Sequence, residues 1–454
     1  MDPLTNSSVV PDTTGRDDDT PLLPAQPKTV RETGLELSLL VELASKALFG
    51  SGRTHLPVLT TRLRLSINVL REVFDFMVHE QLAEVAWRGE SDIDVQYQLT
   101  SVGRQRAGAW LERSPYAGPA PVPLETYRAM LQRQSAALPS VTAADVAAEF
   151  ADDCLPPAVR QLAGAALHAH RSLLLYGPPG SGKTSLARRL GRMLAGSVAV
   201  PYAVAVGHEI IQVHDASVHQ SAVQPPRAGT DRRSTDTRWA QCRRPVLHLG
   251  AELGPELLDL RHDAFSGSYH APAHVKAAGG LLIIDDLGRQ RLPAAELLGR
   301  FTQALDTGAD QLALQGGHKF VVPFDTMMVF VTNQAPQAVL DPSSLRRIGY
   351  KVHVGPIGEA AYRALFRQQC RSFGMQPDDG ALAYLISELH RGSGQALLAG
   401  FPREILGRIH EFAAFGGHTP VLTVAALDQA WSSMFADSVP PLSQADATLL
   451  ERIA

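Results

Sequence analysis

Cysteine is nearly absent. Cys154, Cys242 and Cys370 are scattered through 454 residues and make neither a disulfide framework nor a CxxC pair, so they read as buried or free thiols in a reducing compartment. Long apolar runs are missing too: stretches such as 281–284 (LLII) fall far short of the ~20 residues a membrane helix needs. Residues 1–32 lack the basic and apolar regions of a secretory signal. Excess charge of either sign is lacking, and a net charge of −4 gives no bulk attraction to nucleic acid or an anionic membrane. Histidines such as His168, His170, His214 and His219 occur without HExxH or paired-cysteine spacing, which leaves no transition-metal motif. The expectation is a cytoplasmic protein without membrane insertion. Its length is enough for about three domains.

Composition divides the chain. Residues 1–33 are rich in Pro, Thr, Ser and Asp and cannot bury enough apolar surface to order themselves, so a disordered tail is expected there. Over 34–115, three helical stripes are followed by two short extended pieces, 84–87 and 95–99, and a further helix. Residues 114–123 (SPYAGPAPVP) are dense enough in proline to act as a stiff spacer. With a helical connector they fill 116–150. A β/α alternation then runs over 151–355, a helical region over 356–436 and a polar tail over 437–454. The arginine-rich stretch 222–245, with Arg232, Arg233, Arg238, Arg243 and Arg244, is expected to form an exposed loop.

The chemistry concentrates in the middle. Gly177, Pro178, Pro179, Gly180, Ser181, Gly182, Lys183 and Thr184, followed by Ser185, form a GxxxxGK(S/T) loop between an apolar run and a helical segment. Strand, glycine loop and helix together make a phosphate site: backbone N–H groups turn inward at a helix N-terminus, the lysine reaches the β/γ-phosphates, and the threonine hydroxyl serves Mg²⁺. The run 281–284 has the character of a strand buried on both faces. It ends in Asp285, placed to hold a Mg²⁺ water, and Asp286, placed to orient an attacking water. A third apolar strand, 327–331, ends in Thr332 and Asn333, whose amide can bond both a γ-phosphate and that water. Residues 311–322 alternate on both sides of Gly316 and Gly317, which predicts a hairpin with a two-residue turn.

These motifs, in this order, resemble the AAA+ ATPases and most closely their MoxR-like branch, over about 151–435. The resemblance implies an α/β P-loop AAA+ core, a parallel sheet between helices, with a C-terminal α-helical lid. Gly177 to Thr184 would be Walker A, Asp285 and Asp286 Walker B, and Asn333 sensor 1. Arg347, with Arg346 second, would be the finger reaching a neighbouring subunit's nucleotide. Arg403 would be sensor 2. The hairpin 311–322 looks like the family's pre-sensor-1 hairpin near the ring pore. One departure is Asp286, where most relatives carry Glu. The segment 34–115, ending in Tyr97-Gln-Leu-Thr-Ser-Val-Gly-Arg104, resembles a winged helix-turn-helix domain.

The resulting expectation is an ATPase using ATP and Mg²⁺. It would be a remodelling motor assembled as a homo-oligomeric ring, a hexamer by resemblance, acting on a protein client chosen through the winged-helix domain. The alternative is a DNA-directed ATPase or regulator. The helix at 66–81 weighs against DNA, because Arg71 faces Glu72, Asp75 and Glu80 and phosphate contacts supply most DNA affinity. Arg62 and Arg64 keep that alternative in play.

Overall fold

The computed structural model describes residues 23–91, 93–138, 140–222 and 235–435. Five short strands build the central sheet: β1 (Leu173–Tyr176), β2 (Val246–Leu249), β3 (Leu281–Ile284), β4 (Met327–Thr332) and β5 (Tyr350–His353). All pair in parallel, in the order β2–β3–β4–β1–β5. Their near-continuous apolar sequences follow from burial on both faces. Leu173, Leu175, Ile283 and Val329 face Leu186 and Leu190 of the helix Lys183–Met193. Leu174, Leu282, Met328 and Phe330 face Leu297 and Phe301 of the helix Ala294–Thr307 on the other side. This is the α/β arrangement expected from the motifs, a parallel sheet between helices with the phosphate loop at a strand end.

A helical lid follows, formed by Glu359–Ser372, Asp379–Tyr384 continuing as a π-helical turn to His390, Phe401–Phe415 and Val424–Met434. They close on Tyr362, Phe366, Ile405, Leu427 and Trp431. Among the described residues no helix is long and apolar enough to cross a membrane.

The N-terminal unit packs helices Leu37–Ser51, Leu56–Leu63 and Ile67–His79 against an antiparallel sheet of Thr54–His55, Val95–Leu99 and Ala83–Arg88. Ser66 and Thr100 cap the helices that follow them, each side chain accepting from a first-turn N–H. The stacked rings of Phe74 and Tyr97, with centroids 4.2 Å apart, join helix to sheet.

Four expectations change. Residues 1–22 lie outside the described residues, but 23–33, assigned to the same tail, are ordered. They form the helix Val30–Thr33 and pair Ala25 with Thr235, because apolar contacts with the rest of the N-terminal unit supply what the local composition lacks. The proline-rich segment is docked rather than standing off as a stiff spacer: Tyr116 is buried, Ala120 N–H donates to Leu63 O, and Val122–Pro123 adds an edge strand beside Ala203–Val206. The arginine-rich stretch is not an exposed loop in its described part. Trp239–Arg243 pairs with Ser197–Pro201, and Arg238 and Arg244 are buried. Arg244 donates to the carbonyls of Ala195 and Gly279, while Arg232 and Arg233 lie outside the described residues. Finally, the hairpin Ala309–Ala313/Lys319–Pro323 turns through a three-residue loop. Leu314 N–H donates to His318 O, and Gly317 takes a φ of 80°, the left-handed position such loops require. Leu312, Leu314, Phe320 and Val322 bury the hairpin's inner face against a second five-stranded sheet, made of Arg261–Asp263, Ser268–His270, Glu209–Gln212, Ala203–Val206 and Val122–Pro123.

Candidate functional site: the P-loop edge of the sheet

The phosphate loop leaves the C-terminal end of β1. Gly177, Gly180 and Gly182 have φ of 144°, 79° and 94°, which only glycine adopts readily. A Cβ on Gly177 would lie 2.2 Å from Val354 O. Lys183 opens the helix and is 4% exposed. Its ammonium donates to Gly177 O (2.9 Å), Pro178 O (2.7 Å) and Ser181 Oγ (3.3 Å). Burial pulls its pKa below the usual lysine value, against the opposite effect of Asp285 and Asp286. A cation held by neutral carbonyls in a desolvated loop gains by exchanging them for phosphate oxygens.

The adjacent strands deliver the other groups to the same edge. Asp285 follows β3, and Thr184 Oγ1 donates to its Oδ1 at 3.3 Å. Asp286 N–H also donates to that oxygen, at 3.0 Å, and His248 Nε2 lies 3.0 Å from Oδ2. Asp286 has a φ of 50°, which turns the chain sharply after the strand. Its carboxylate accepts from Asn333 Nδ2 at 3.0 Å. Lys183, Thr184, Asp285, Asp286 and Asn333, far apart in sequence, therefore meet at one place.

The lid touches this place directly. Gly400 N–H donates to Gly180 O at 2.7 Å, which brings the start of the helix Phe401–Phe415 onto the phosphate loop. Arg403 sits in that helix's first turn, exposed and without a hydrogen bond or ion pair among the described residues.

Arg346 and Arg347 are not part of this cluster. They end the helix Pro342–Arg347 beside Ser172, whose hydroxyl accepts from Gly349 N–H, at the opposite end of β1. Four extended residues, five steps along the chain, separate Ser172 from Gly177, roughly 16 Å, beyond an arginine's reach. Arg347 pairs with Asp306 (3.0 Å) and donates to Ser343 Oγ (2.7 Å). Arg346 is exposed without such a partner among the described residues. Both line a cavity of about 1130 Å³ together with His170, Arg171 and Asp325.

Two contributors, Gln290 and His248, have no role announced by the motifs. Gln290 donates to the carbonyls of Asp285 (2.7 Å) and Asp286 (3.2 Å) and accepts from Gly288 N–H, holding the turn. His248 reaches the site only through tertiary contact.

Strand order, phosphate loop and converging carboxylates define a parallel α/β nucleotide-binding core of the P-loop type. The family model for magnesium chelatase, subunit ChlI, matches residues 156–228, and that of a domain of unknown function (DUF8689) matches 358–433. No curated protein matches the sequence. Among solved structures, NtrX from Brucella abortus is 16% identical, with 65% of this chain and 57% of that chain covered and a TM-score of 0.41. NtrX in complex with ATP is 16% identical over 72% of this chain and 66% of that one, with a TM-score of 0.39. The RuvB Holliday junction branch migration motor of Thermotoga maritima is 15% identical over 66% and 76%, with a TM-score of 0.35. The chain thus spans little more than half of the first NtrX chain, and scores this low say nothing of what it acts on.

Proposed function

We propose that the chain is an ATP-hydrolysing AAA+ motor of the MoxR-like kind that works as a ring on a protein client. One observation carries the reading: Thr184 meets Asp285, and Asn333 meets Asp286, at the mouth of the loop that holds Lys183. In this reading Lys183 and the loop amides bind the phosphates. Asp286 accepts the proton of the attacking water, and Asn333 orients that carboxylate. Arg403 faces the γ-phosphate as the lid closes. Thr184 Oγ1 and the Asp285 carboxylate offer the hard oxygen donors that suit Mg²⁺, which when bound would neutralise phosphate charge.

Arg346 and Arg347 cannot serve their own chain's phosphates from the far end of β1, which supports a ring in which each subunit completes its neighbour's site. Arg346 is the stronger candidate for the finger, because Arg347 is already engaged by Asp306 and Ser343.

The N-terminal unit has the element order of a winged helix-turn-helix, and a protein-binding role suits it better than DNA. The helix Ile67–His79, which would enter a major groove, is covered near its start by the chain's own residues. Ser66 Oγ donates to Pro27 O at 2.6 Å, and Val30 N–H donates to Glu72 Oε2 at 2.8 Å. Arg62 is likewise engaged, by Ala47 O, and Arg64 lies over the Tyr202 ring.

Calorimetry of ATP binding tests the site: wild type binds, and Lys183→Ala does not. Equal affinities would remove the loop from the reading. Fluorescence anisotropy on random duplex DNA at moderate salt tests the client. Micromolar or tighter binding that weakens on mutating Arg62 and Arg64 would favour the DNA-directed alternative.

A further inference from the structure

Asp285 has one side-chain neighbour that the nucleotide-site motifs do not supply. His248 lies on β2, the edge strand, in register with Ile283 of β3. Its Nε2 stands 3.0 Å from Asp285 Oδ2, while Thr184 Oγ1 and Asp286 N–H share Oδ1. The two carboxylate oxygens therefore have separate duties. One faces the phosphate-loop hydroxyl, and the other is held by the imidazole.

Behind the ring, Arg188 Nη2 approaches His248 Nδ1 at 3.3 Å. A guanidinium can only donate, so Nδ1 carries the lone pair and Nε2 the hydrogen. The imidazole is thereby fixed as a directed donor to Asp285. Arg188 is also one turn after Thr184 on the helix Lys183–Met193, and residues four apart share a helix face. The phosphate-loop helix thus grips Asp285 twice: at Oδ1 through Thr184, and at Oδ2 through Arg188 and His248.

We infer that His248, oriented by Arg188, is a positioning residue that fixes the rotation of the Asp285 carboxylate and so presets the Mg²⁺ side of the nucleotide site. The inference rests on the nucleotide-site reading above. Without the imidazole, the carboxylate is free to turn about its last bond and Oδ1 loses its aim at the hydroxyl. Partners that orient a metal-binding group in this way are commonly worth about 10- to 100-fold in metal affinity.

The test is the Mg²⁺ dependence of binding of a fluorescent ADP analogue, measured against binding in EDTA, on the full chain. His248→Leu should raise the Mg²⁺ concentration needed for half-maximal tightening by about 10-fold or more and leave affinity in EDTA unchanged, because Lys183 and the loop amides do not depend on it. Arg188→Leu, a change at an exposed side chain, should shift the Mg²⁺ requirement in the same direction and by less. His248→Gln retains an N–H donor of similar reach and should recover most of the loss. A wild-type Mg²⁺ requirement in His248→Leu would overturn the inference while leaving the nucleotide site standing. An equal loss of affinity with and without Mg²⁺ would also overturn it, since that marks general damage to the site. Wild-type protein that binds no nucleotide in either condition would remove the nucleotide-site reading itself.

Discussion

Replacing Asp286 by asparagine should abolish turnover with almost no cost in stability, while glutamate should cost more stability than asparagine. The reason is the φ of 50° at this position. Left-handed backbone costs most L-residues about 1–2 kcal/mol, with Asn and Asp the usual exceptions. Asparagine therefore fits the turn at least as well as aspartate. Its amide oxygen can still accept from Asn333 Nδ2, now 3.0 Å from the carboxylate. What is lost is the charge on that bond, a difference of about 1 kcal/mol between charged and neutral hydrogen bonds, partly offset by the backbone preference. Loss of a general base, by contrast, lowers rates by about 10²- to 10⁴-fold. Glutamate keeps the charge but carries a longer stem on a backbone conformation it rarely takes, so its folded state is the strained one. Thermal unfolding, phosphate release and nucleotide binding on the three proteins decide the matter. Asparagine turning over at the wild-type rate would refute the role, and a glutamate variant more stable than the asparagine one would refute the backbone argument.

Mixing Arg346→Ala subunits with Lys183→Ala subunits should restore phosphate release that neither homogeneous protein shows, since a mixed interface pairs an intact loop with an intact arginine; no recovery after confirmed subunit exchange would place the arginine's action within its own chain. Gly400→Ala should weaken nucleotide binding about 5-fold, the worth of one main-chain hydrogen bond of about 1 kcal/mol, because the new Cβ would stand 2.9 Å from Gly180 O and separate lid from loop; unchanged affinity would deny the lid that role. Acid should weaken the protein through Asp310: burial alone would raise its carboxyl, but the hydrogen bonds from His274 and Arg300 hold it at about 2 against an ordinary 3.8. That contribution, on the order of 2 kcal/mol, is present above pH 3.8 and lost as pH falls toward 2. His274, kept neutral by burial, acts in the same direction below its ordinary value of 6.5. Unfolding free energy that falls equally in wild type and Asp310→Asn across the Asp310 window would refute the assignment.

The elements that build the site were legible because their signals are local. An apolar run followed by a glycine loop, or by two aspartates, carries its own reason in a few adjacent residues, and Lys183, Asp285 and Asn333 fall where strand ends put them. The arginine-rich stretch failed for the opposite reason. Arg238 and Arg244 look like solvated charges until their acceptors appear, and those acceptors are carbonyls such as Thr33 O, Pro121 O and Gly279 O, at distances no window spans. His248 escaped notice likewise. On an edge strand a histidine means little without the aspartate at the end of the neighbouring strand. The hairpin turn was misjudged by a single residue because two glycines suggest a two-residue turn, whereas the pairing of Leu314 with His318 leaves three residues in the loop.

The buried arginine also predicts how the N-terminal unit is held to the rest of the chain. Arg238 and Asp236 form an ion pair with side chains 3% and 4% exposed. Arg238 Nη1 donates to Thr33 O (3.0 Å) and Pro121 O (3.2 Å), and Asp236 N–H donates to Pro24 O. Thr237 adds a bond to Arg64 O, and Ser114 Oγ one to Gly267 O. One short segment between the second β-layer and the N-terminal helices thus ties four separated stretches of chain. Taking the guanidinium away leaves Asp236 charged, buried and alone, a change that costs about 3–5 kcal/mol where one member of a buried pair is removed. Neutralising both members removes the stranded charge, and such replacements are often close to neutral. Arg238→Met should therefore unfold at lower temperature and open the N-terminal unit to proteolysis, while the double change Arg238→Met with Asp236→Asn should recover much of the loss. Nucleotide affinity should hold in both, since the pair touches none of the phosphate-loop groups. A double variant as unstable as the single one would show that the guanidinium's bonds to Thr33 and Pro121, rather than the charge balance, fasten the seam.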